Sequence, residues 1–342
     1  MHQKAIITGI TGQDGAYLSE FLLRKKIKVY GIVRRSSNEN LGRIHSLKIG
    51  EKINFLYSDL QEHQKITKFI QNIRPNFFFN LASQSFVSYS YENPIYTDQV
   101  NNLATLNILE SIKNFSKKTR FYQASSSEMY GNTRVLVKQK YLDENSKFDP
   151  VSPYAIAKLS SYYYTKMYRD SYNIYSCNGI LFNHESPLRG ENFVTKKIVK
   201  GLVNYVYGKS KKTISLGNIY SKRDWGDARD YVKYIYKILT LKKPDDYVLS
   251  SSKQYTVKDF INKVASQLNL KLSWKGKGLK EKAHDKSGRV VIKISKHYFR
   301  PNDVVNLLGK SKKTEKLLGW NSNISKIDNL ISDMIKFEKD GL

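Results

Sequence analysis

The sequence predicts a doubly wound α/β fold, in which a mostly parallel sheet is covered by helices on both faces. Short runs rich in β-branched and aromatic residues recur through the first half of the chain, bounded by turn residues. Helical stretches such as residues 15–26 and 102–114 lie between them, and strands that alternate with helices form parallel sheets. The predicted strands are residues 4–10, 28–34, 53–59, 76–82, 119–125 and 174–182.

The pattern changes after residue 182, where the loops become longer. Strand candidates at residues 213–217 and 290–295 are separated by helices such as residues 256–268. This predicts a smaller, mixed α/β C-terminal domain. Residues 223–239 and 246–251 are expected to return to the first domain. The predicted division is residues 1–182 plus about 220–250 for the first domain, and about 183–219 plus 251–342 for the second.

Composition indicates a folded protein of the cytoplasm. The 342 residues are 40% hydrophobic and 13% aromatic, which is enough for a substantial core. No stretch approaches the roughly 18 uncharged apolar residues of a membrane helix, and the start lacks the basic and apolar segments of a signal peptide. A single cysteine, Cys177, excludes an internal disulfide. We therefore predict a cytoplasmic protein with neither a membrane partner nor a metal site.

The net charge of +28 raises the question of a nucleic-acid partner, because clustered Lys and Arg bind phosphates. The lysines are scattered singly and in pairs along the chain, however, with no basic block. This distribution favours a lysine-coated surface, with a positive potential that attracts anionic small molecules as the second interpretation. No nucleic-acid partner is predicted.

Glycines follow the first predicted strand at Gly9, Gly12 and Gly15, a G-x-x-G-x-x-G spacing at a strand-to-helix junction. Such glycines permit a tight turn and a close approach of the backbone to a pyrophosphate at the helix N-terminus. An ordinary tight turn is the alternative. The same turn places three further residues among the predicted dinucleotide contacts, namely Thr11, Gln13 and Asp14.

The end of the second predicted strand carries Arg34 and Arg35 where an acidic residue would bind the ribose of NAD. Two guanidinium groups suit a 2′-phosphate, so the predicted cofactor is NADP; an exposed basic loop is the alternative. The loops after the second, third and fourth strands supply the remaining walls of the predicted site, at Ser36, Ser37, Asp59, Leu60, Leu81, Ala82, Ser83, Gln84 and Ser85.

The segment "SPYAIAK" places Tyr154 and Lys158 four residues apart on one helix face. A phenol is a poor base at its ordinary pKa near 10, and a neighbouring ammonium should favour the phenolate. Such a pair can exchange a proton with a sugar hydroxyl while a nicotinamide exchanges a hydride. The same spacing recurs by chance in this tyrosine-rich chain, in Tyr162 with Lys166, Tyr205 with Lys209 and Tyr207 with Lys211.

Several segments in order resemble the GDP-mannose 4,6-dehydratases, a family of extended short-chain dehydrogenases/reductases with a Rossmann domain. They are "GITGQDG", "IVRRSS", "QASSSEMYG", "SPYAIAK", "LFNHESPLRGENFVTKKI", "LGNIYSKRDWGDARDYV" and "YFRPNDVVNLLG". The resemblance covers nearly the whole chain. It implies a resident NADP and a redox-neutral reaction on a GDP-sugar: oxidation at C4, loss of water across C5 and C6, and return of the hydride to C6.

By this resemblance, Tyr154 is the base for the C4 hydroxyl, and Lys158 binds the nicotinamide ribose. Glu128 takes the C5 proton and assists departure of the C6 hydroxyl. Ser126 holds the C4 oxygen in place of the usual threonine, and Ser127 matches the Ser-Glu pair of the GDP-mannose type rather than the Asp-Glu pair of dTDP-glucose dehydratases.

The resemblance also implies cofactor contacts at Tyr96, His184 and Arg189. Asn183, Lys197, Leu216, Gly217, Arg223 and Arg300 are implied to bind the GDP-sugar, together with Ser85, Ser126, Glu128 and Tyr154. Asp303 stands where the family commonly has a glutamate that reads guanine. The family forms dimers or tetramers, so we expect a homodimer or homotetramer, with Arg35 and Arg43 available to an interface as well as to NADP.

Three departures from the family pattern leave the sugar open: Ser126, Leu188 where an arginine is common, and Asp303. Shorter side chains beside the hexose would accommodate a GDP-manno-heptose, which can undergo the same reaction. An NADP-dependent epimerase or reductase of the same fold, and a basic binding protein that has lost catalysis, are the alternatives from other classes. Glu128 argues against an epimerase or reductase, which has no need of this acid, and the presence of Glu128, Tyr154 and Lys158 together argues against a protein that has lost catalysis.

Overall fold

The computed structural model describes residues 2–37, 40–208, 211–299, 302–321 and 326–342. The first part of the chain contains β1 (Lys4–Thr8), α1 (Gln13–Arg24), β2 (Lys28–Val33), α2 (Gly42–Ser46), β3 (Ile53–Tyr57), α3 (His63–Ile73), β4 (Phe77–Asn80), α4 (Val87–Glu92), α5 (Pro94–Asp98), α6 (Ala104–Phe115), β5 (Arg120–Ser126), α7 (Thr133–Leu136), α8 (Pro153–Tyr172) and β6 (Ser176–Leu181). A π-helix over Gln99–Leu103 joins α5 to α6, and a 3-10 turn over Ser127–Tyr130 follows β5.

The second part alternates short strands with helices. It contains β7 (Asn183–Glu185), α9 (Val194–Tyr207), β8 (Ile214–Leu216), β9 (Lys222–Arg223), β10 (Trp225–Asp227), α10 (Ala228–Ile238), β11 (Asp246–Leu249), β12 (Tyr255–Thr256), α11 (Val257–Gln267), β13 (Ser273–Lys275), β14 (Lys282–His284), β15 (Val290–Ile294), α12 (Lys312–Leu318) and α13 (Ile327–Asp340).

The large sheet has seven parallel strands in the order β11-β6-β5-β4-β1-β2-β3. Each of the six strands predicted in the first half is present, and the returning segment supplies β11 beside β6. The predicted doubly wound α/β fold is confirmed. Because all seven strands run in the same direction, their carboxyl ends meet at one edge of the sheet, where open α/β folds bind ligands.

Consecutive aromatic residues show why the sheet is covered on both faces. Phe77 and Phe79 of β4 lie in one hydrophobic core with α1 and α10, whereas Phe78 lies in a second core with α3 and α6. Successive residues of a strand point to opposite faces. An uninterrupted apolar run is therefore typical of a strand that is buried on both sides.

A third hydrophobic core belongs to the smaller region. Helices α9, α11 and α13 pack around a mixed four-stranded sheet in the order β13-β14-β15-β8. The segments "NHESP" and "RDWGD" contain the short strands β7, β9 and β10, which form two-stranded sheets with each other and with β12.

The described residues contain neither a membrane-spanning helix nor a cluster of metal ligands. Within these ranges, no helix combines the length and apolar character that a bilayer crossing requires. The same residues contain no group of three or more histidine, cysteine, aspartate or glutamate side chains arranged to hold a metal ion.

Candidate active site

The three serines at the end of β5 have different environments. Ser125 donates to the Asn178 amide oxygen at 3.0 Å inside the sheet. The Ser126 Oγ accepts the backbone N–H of Glu128 at 3.2 Å and caps the 3-10 turn. Ser127 is buried, and Glu128 is only 9% exposed. The segment is therefore not a loop tip: it ends a central strand, and it directs one hydroxyl and one carboxylate toward the edge of the sheet.

Tyr154 is the second residue of α8, whose first turn is fixed by Pro153 and by the Ser152 hydroxyl, which accepts the N–H of Ala155 at 3.1 Å. Its side chain is buried, and burial raises the pKa of the phenol to about 12. A hydrogen bond with Ser126 lowers this pKa, the Glu128 carboxylate raises it, and a hydrogen bond with Ser83 lowers it. Side chains from two separate segments, the end of β5 and the loop after β4, thus converge on one phenol.

Lys158 lies one turn further along α8 and is 2% exposed. Its Nζ donates to the Ala124 carbonyl at 2.9 Å and lies 5.9 Å from the centre of the Tyr154 ring. Burial lowers the pKa of Lys158 to about 8. Burial disfavours the charged form of both side chains and so opposes the predicted phenolate–ammonium pair.

The glycine-rich turn has the geometry that a dinucleotide requires. Gly9 has φ +66°, and a Cβ there would lie 2.6 Å from the Ala82 nitrogen. A Cβ at Gly15 would lie 2.4 Å from the Gly9 carbonyl oxygen. Helix α1 begins directly after the turn without a side-chain cap, so its first N–H groups are available to an anion.

The side chains of Gln13 and Asp14 turn away from this helix start and bind β7. Gln13 donates to the His184 carbonyl at 3.2 Å and accepts the Ser186 hydroxyl at 2.6 Å. The His184 Nε2 lies 2.8 Å from an Asp14 oxygen, and its ring stacks on Tyr231. Burial alone would lower the pKa of His184, but the Asp14 carboxylate outweighs it and the pKa is raised.

The loop after β2 is exposed from Arg34 to Ser37. Arg34 Nη1 donates to the Tyr96 hydroxyl at 3.1 Å, which joins two of the predicted cofactor contacts. Arg43 reaches back to the glycine-rich turn, donating to the Thr11 carbonyl at 3.0 Å and to the Leu188 carbonyl at 2.7 Å. Asp59 is half-buried, and Leu60 is buried behind it.

Asn101 is a residue of this site that sequence reasoning missed. Its side-chain oxygen accepts the Ser83 hydroxyl and the Gln84 N–H, both at 2.9 Å, and its amide donates to the Gln84 carbonyl at 3.1 Å. These bonds hold the loop of residues 81–85, in which Ser85 is exposed, against the sheet edge. Asn101 lies in the π-helix, and the sequence pattern carries no signal for this local change of helical period.

The residues present fit a nicotinamide dinucleotide. The turn after β1, the uncapped start of α1 and the basic loop after β2 all follow strands at the carboxyl edge of the parallel sheet. Within the described structure, Lys158 uses one of its three donors on Ala124 and leaves two for ribose hydroxyls.

Four of the predicted GDP-sugar contacts, Arg223, Asp303, Lys197 and Gly217, have neighbours in or beside the smaller region. The Arg223 guanidinium lies 3.5 Å from an Asp303 oxygen, and Ser221 donates to that carboxylate at 3.0 Å. Lys197 Nζ lies 3.6 Å from the centre of the Tyr298 ring, and Gly217 faces the Tyr298 carbonyl, only 2.4 Å from where a Cβ would stand. The structure thus pairs Arg223 with Asp303 and brings Lys197 and Gly217 to one tyrosine, Tyr298.

The other residues predicted to contact the cofactor or the GDP-sugar have environments that differ from one another. Asn183 has a buried side-chain oxygen for which the described structure provides no hydrogen-bond partner. Arg189 pairs with Glu185 at 3.0 Å and lies 3.6 Å from the centre of the Phe193 ring. Leu216 is buried in β8. Arg300 lies outside the described residues.

Leu188 does not lie where the sequence comparison with the family suggested. Its side chain is 6% exposed and packs in the hydrophobic core that contains α1 and α10. Its position therefore gives no support to the expectation that it leaves space beside the sugar.

Known proteins resemble this chain over nearly its full length. A sequence profile described as GDP-mannose 4,6 dehydratase matches residues 6–334. The GDP-mannose 4,6-dehydratase of Vibrio cholerae serotype O1 is 43% identical, with 97% of this chain and 92% of that protein covered. The GDP-mannose 4,6 dehydratase of Drosophila melanogaster is 41% identical, with 97% of this chain and 85% of that protein covered.

Solved structures with the same fold are more distant in sequence. The dTDP-glucose 4,6-dehydratase of Streptomyces venezuelae, solved with NAD, has a TM-score of 0.82 at 17% identity, with 99% of this chain and 97% of that chain covered. The UDP-glucuronic acid 4-epimerase of Bacillus cereus, also solved with NAD, has a TM-score of 0.81 at 18% identity, covering 99% of this chain and all of that one. The sequence matches confirm the predicted family and its enzyme class, a hydro-lyase acting on a GDP-sugar: the chain belongs to the GDP-mannose 4,6-dehydratase family.

Proposed function

We propose that this chain dehydrates GDP-mannose to GDP-4-keto-6-deoxymannose, with NADP as the resident cofactor and with Tyr154, Lys158, Ser126 and Glu128 as the catalytic residues. The observation that carries the proposal is the burial of the Tyr154 phenol against Ser126, Ser83 and Glu128 at the end of β5. Family membership supports the substrate and the reaction.

The basic loop after β2 supports NADP over NAD. Arg34 and Arg35 follow Val33 directly, and the described part of this loop carries no acidic side chain for a ribose 2′-hydroxyl. Arg34 is oriented by the Tyr96 hydroxyl. A planar guanidinium can bind a 2′-phosphate through two hydrogen bonds. The distant structures that contain NAD show only that a nicotinamide dinucleotide suits this fold.

Tyr154 begins the reaction by taking the proton of the C4 hydroxyl. Tyr154 acts in this step as the phenolate and becomes the phenol. The Ser126 hydroxyl donates a hydrogen bond to the C4 oxygen, Ser83 keeps its donor on Asn101, and Lys158 orients the ribose. NADP, when bound, would supply the chemistry of hydride transfer between C4 and C6.

Glu128 carries out the elimination. The C4 ketone acidifies C5, so a carboxylate is a sufficient base for the C5 proton. The same carboxyl group then gives a proton to the C6 oxygen, and water leaves. The hydride returned to C6 is balanced by the proton that Tyr154 took, which is delivered to C5. The sugar thus loses one water with no net oxidation.

The division into domains is part of the proposal. Residues 1–182 plus about 220–250 build the large sheet and its helices, and we assign them to NADP. Residues 183–219 and 251–342 supply the third hydrophobic core and most of the GDP-sugar contacts. Helix α12 packs against β11 and α10, so this last segment also touches the first region.

A second copy of the chain is the proposed protein partner. Ile156, Tyr163 and Met167 lie on one face of α8 and are 56%, 53% and 36% exposed. Ile95 and Leu103 are exposed on the neighbouring α5 and π-helix, which pack against α8. The exposure of this apolar face supports a homodimer in which a second copy covers it. Light scattering of wild type and of Ile156→Glu distinguishes monomer, dimer and tetramer. A cytoplasmic location, supported by the single buried Cys177, completes the proposal.

Mass spectrometry of GDP-mannose and GDP-manno-heptose, each incubated with the enzyme, tests the proposed function. Loss of one water from GDP-mannose without added reductant is the expected result. Ser126 lies beside Tyr154 and therefore near C4, so nothing in its position favours an additional carbon beyond C6. Unchanged GDP-mannose with complete conversion of the heptose would reassign the substrate, and no dehydration of either would contradict the proposal.

A further inference from the structure

Asp224 is a carboxylate with no exposed surface, and the reaction does not use it. One of its oxygens accepts the backbone N–H of Ser251 at 2.7 Å and the Ser251 hydroxyl at 2.6 Å. The other accepts the N–H groups of Ser252 at 3.0 Å and Gly309 at 3.4 Å. One side chain therefore joins three segments that are distant in sequence.

Asp224 also separates two small sheets. The residue before it, Arg223, belongs to β9, which pairs with β12, and the residue after it, Trp225, pairs with Asn183 of β7. Ser251 follows β11, the edge strand of the large sheet. Gly309 continues the segment that begins with Asp303. The bonds of Asp224 thus fix the position of Arg223 relative to both the large sheet and Asp303.

We propose that Asp224 is a positioning residue for nucleotide binding: its ionised carboxylate holds the strand that carries Arg223 in the geometry that the GDP moiety requires. This inference rests on the proposed function, because Arg223 is there assigned to GDP. Asp224 itself does not contact the substrate.

The charge of this carboxylate depends on pH in the neutral range. Within the described structure, no basic side chain forms an ion pair with it, and burial raises the pKa of Asp224 to about 7 against the effect of its hydrogen bonds. The titratable and charged groups on the packed segments are Lys222, Arg223, Tyr231, Lys253, Asp303 and Lys310.

Protonation changes what the side chain can bind. An ionised carboxylate only accepts hydrogen bonds, and Asp224 receives four. A protonated acid must donate one, which sets its O–H against a neighbouring donor. Affinity for the substrate should therefore fall as the pH falls through about 7. Direct repulsion between Asp224 and a diphosphate would give the opposite dependence, so the sign separates the two effects.

The experiment measures the dissociation constant of GDP-mannose by calorimetry in holoenzyme that carries Tyr154→Phe, so that the ligand stays intact. We expect it to rise about tenfold between about pH 8.5 and about pH 6. Asp224→Asn, added to the same background, resembles the protonated acid and should bind weakly at every pH. Asp259→Asn is the matched control, because this carboxylate caps α11 beside β12 and has a lowered pKa.

The outcomes separate the two proposals. Affinity that is unchanged by pH and by Asp224→Asn overturns the positioning role while leaving the proposed function intact. Tighter binding of GDP-mannose at low pH also overturns the positioning role of Asp224. If the Tyr154→Phe protein binds no GDP-mannose at any pH and the wild-type holoenzyme does not dehydrate it, the proposed function is at fault. If Asp224→Asn does not fold, the pH dependence in the parent background decides alone.

Discussion

Two tyrosine–lysine pairs with the same four-residue spacing lie on helix α8 and have opposite environments. At the start of the helix, Tyr154 and Lys158 are both buried beside the end of β5. Two turns later, Tyr162 donates to an Asp246 oxygen at 3.0 Å inside the protein, while Lys166 is exposed and pairs with Asp170. The spacing is identical, so it is position at the carboxyl edge of the sheet that makes one pair a candidate for catalysis.

The largest difference between the two pairs should appear when the phenol oxygen is removed from each tyrosine in turn. Tyr154→Phe removes the proposed base, and we expect turnover of GDP-mannose to fall by about 10³-fold or more. Tyr162→Phe removes a buried hydrogen bond, which should cost about 1 kcal/mol of the free energy of unfolding with turnover preserved. Steady-state kinetics and thermal denaturation check both variants. Equal losses of turnover in Tyr154→Phe and Tyr162→Phe would contradict the assignment of Tyr154 to catalysis and of Tyr162 to stability.

Each tyrosine also has a neighbouring carboxylate. Glu128→Gln should permit oxidation at C4 but block elimination, so that turnover falls by about 10²- to 10³-fold and reduced cofactor accumulates on the enzyme. Asp246→Asn breaks a buried pair with Arg169 and should instead destabilise the fold by about 3 kcal/mol. Near-ultraviolet absorbance after mixing with substrate reports the reduced nicotinamide. Normal turnover in Glu128→Gln would contradict its assigned role.

Replacing the lysine of each pair should give a smaller difference in turnover. Lys158→Met removes a buried donor that we assign to the ribose, and turnover should fall by about 10²-fold with weaker cofactor retention. Lys166→Met removes an exposed ion pair, whose contribution to stability is about 0.5 kcal/mol or less. Kinetics and the cofactor content of the purified proteins check this prediction. Loss of cofactor in Lys166→Met would show that the pair of Tyr162 and Lys166 also contributes to cofactor binding.

The smallest expected effect comes from pH. Burial lowers the pKa of Lys158 to about 8, so its positive charge is present below that pH and is lost as the pH rises through it. If the ammonium is the working form, turnover should halve near pH 8 and continue to fall above it. Lys158→Arg keeps its charge in this range and should abolish this decline. Lys166→Met should leave the profile unchanged, and a wild-type profile without a decline would exclude the ammonium as the working form.

The strands of the large sheet were predictable because long apolar runs record burial on both faces, as in Phe77–Phe79. The short strands β7, β9, β10 and β12 were not, since two or three residues are too few to show a period. The π-helix that contains Asn101 was missed for a similar reason. In these places the surrounding structure, and not the local sequence, determines the backbone.

The chemistry of the site was predictable only in part. The types and order of Ser126, Glu128, Tyr154 and Lys158 come directly from the sequence and from its resemblance to a family. Their pKa values depend on burial, which is a tertiary property, so the raised pKa of Tyr154 and the lowered pKa of Lys158 could not be read from the spacing of the two residues. The fully buried position of Asp224 within "RDWGD" could not be inferred from its neighbours.

The order of strands in the large sheet has a consequence for the synthesis of the chain. Strand β6 ends at residue 181, but its outer neighbour β11 begins at residue 246, after the chain has left to form part of the smaller region. A nascent chain that has emerged only as far as β6 therefore exposes an unpaired strand edge, which is prone to pair with other chains. Completion of the sheet must wait for the intervening residues, so translation speed and chaperone access over this interval should influence the yield of folded enzyme.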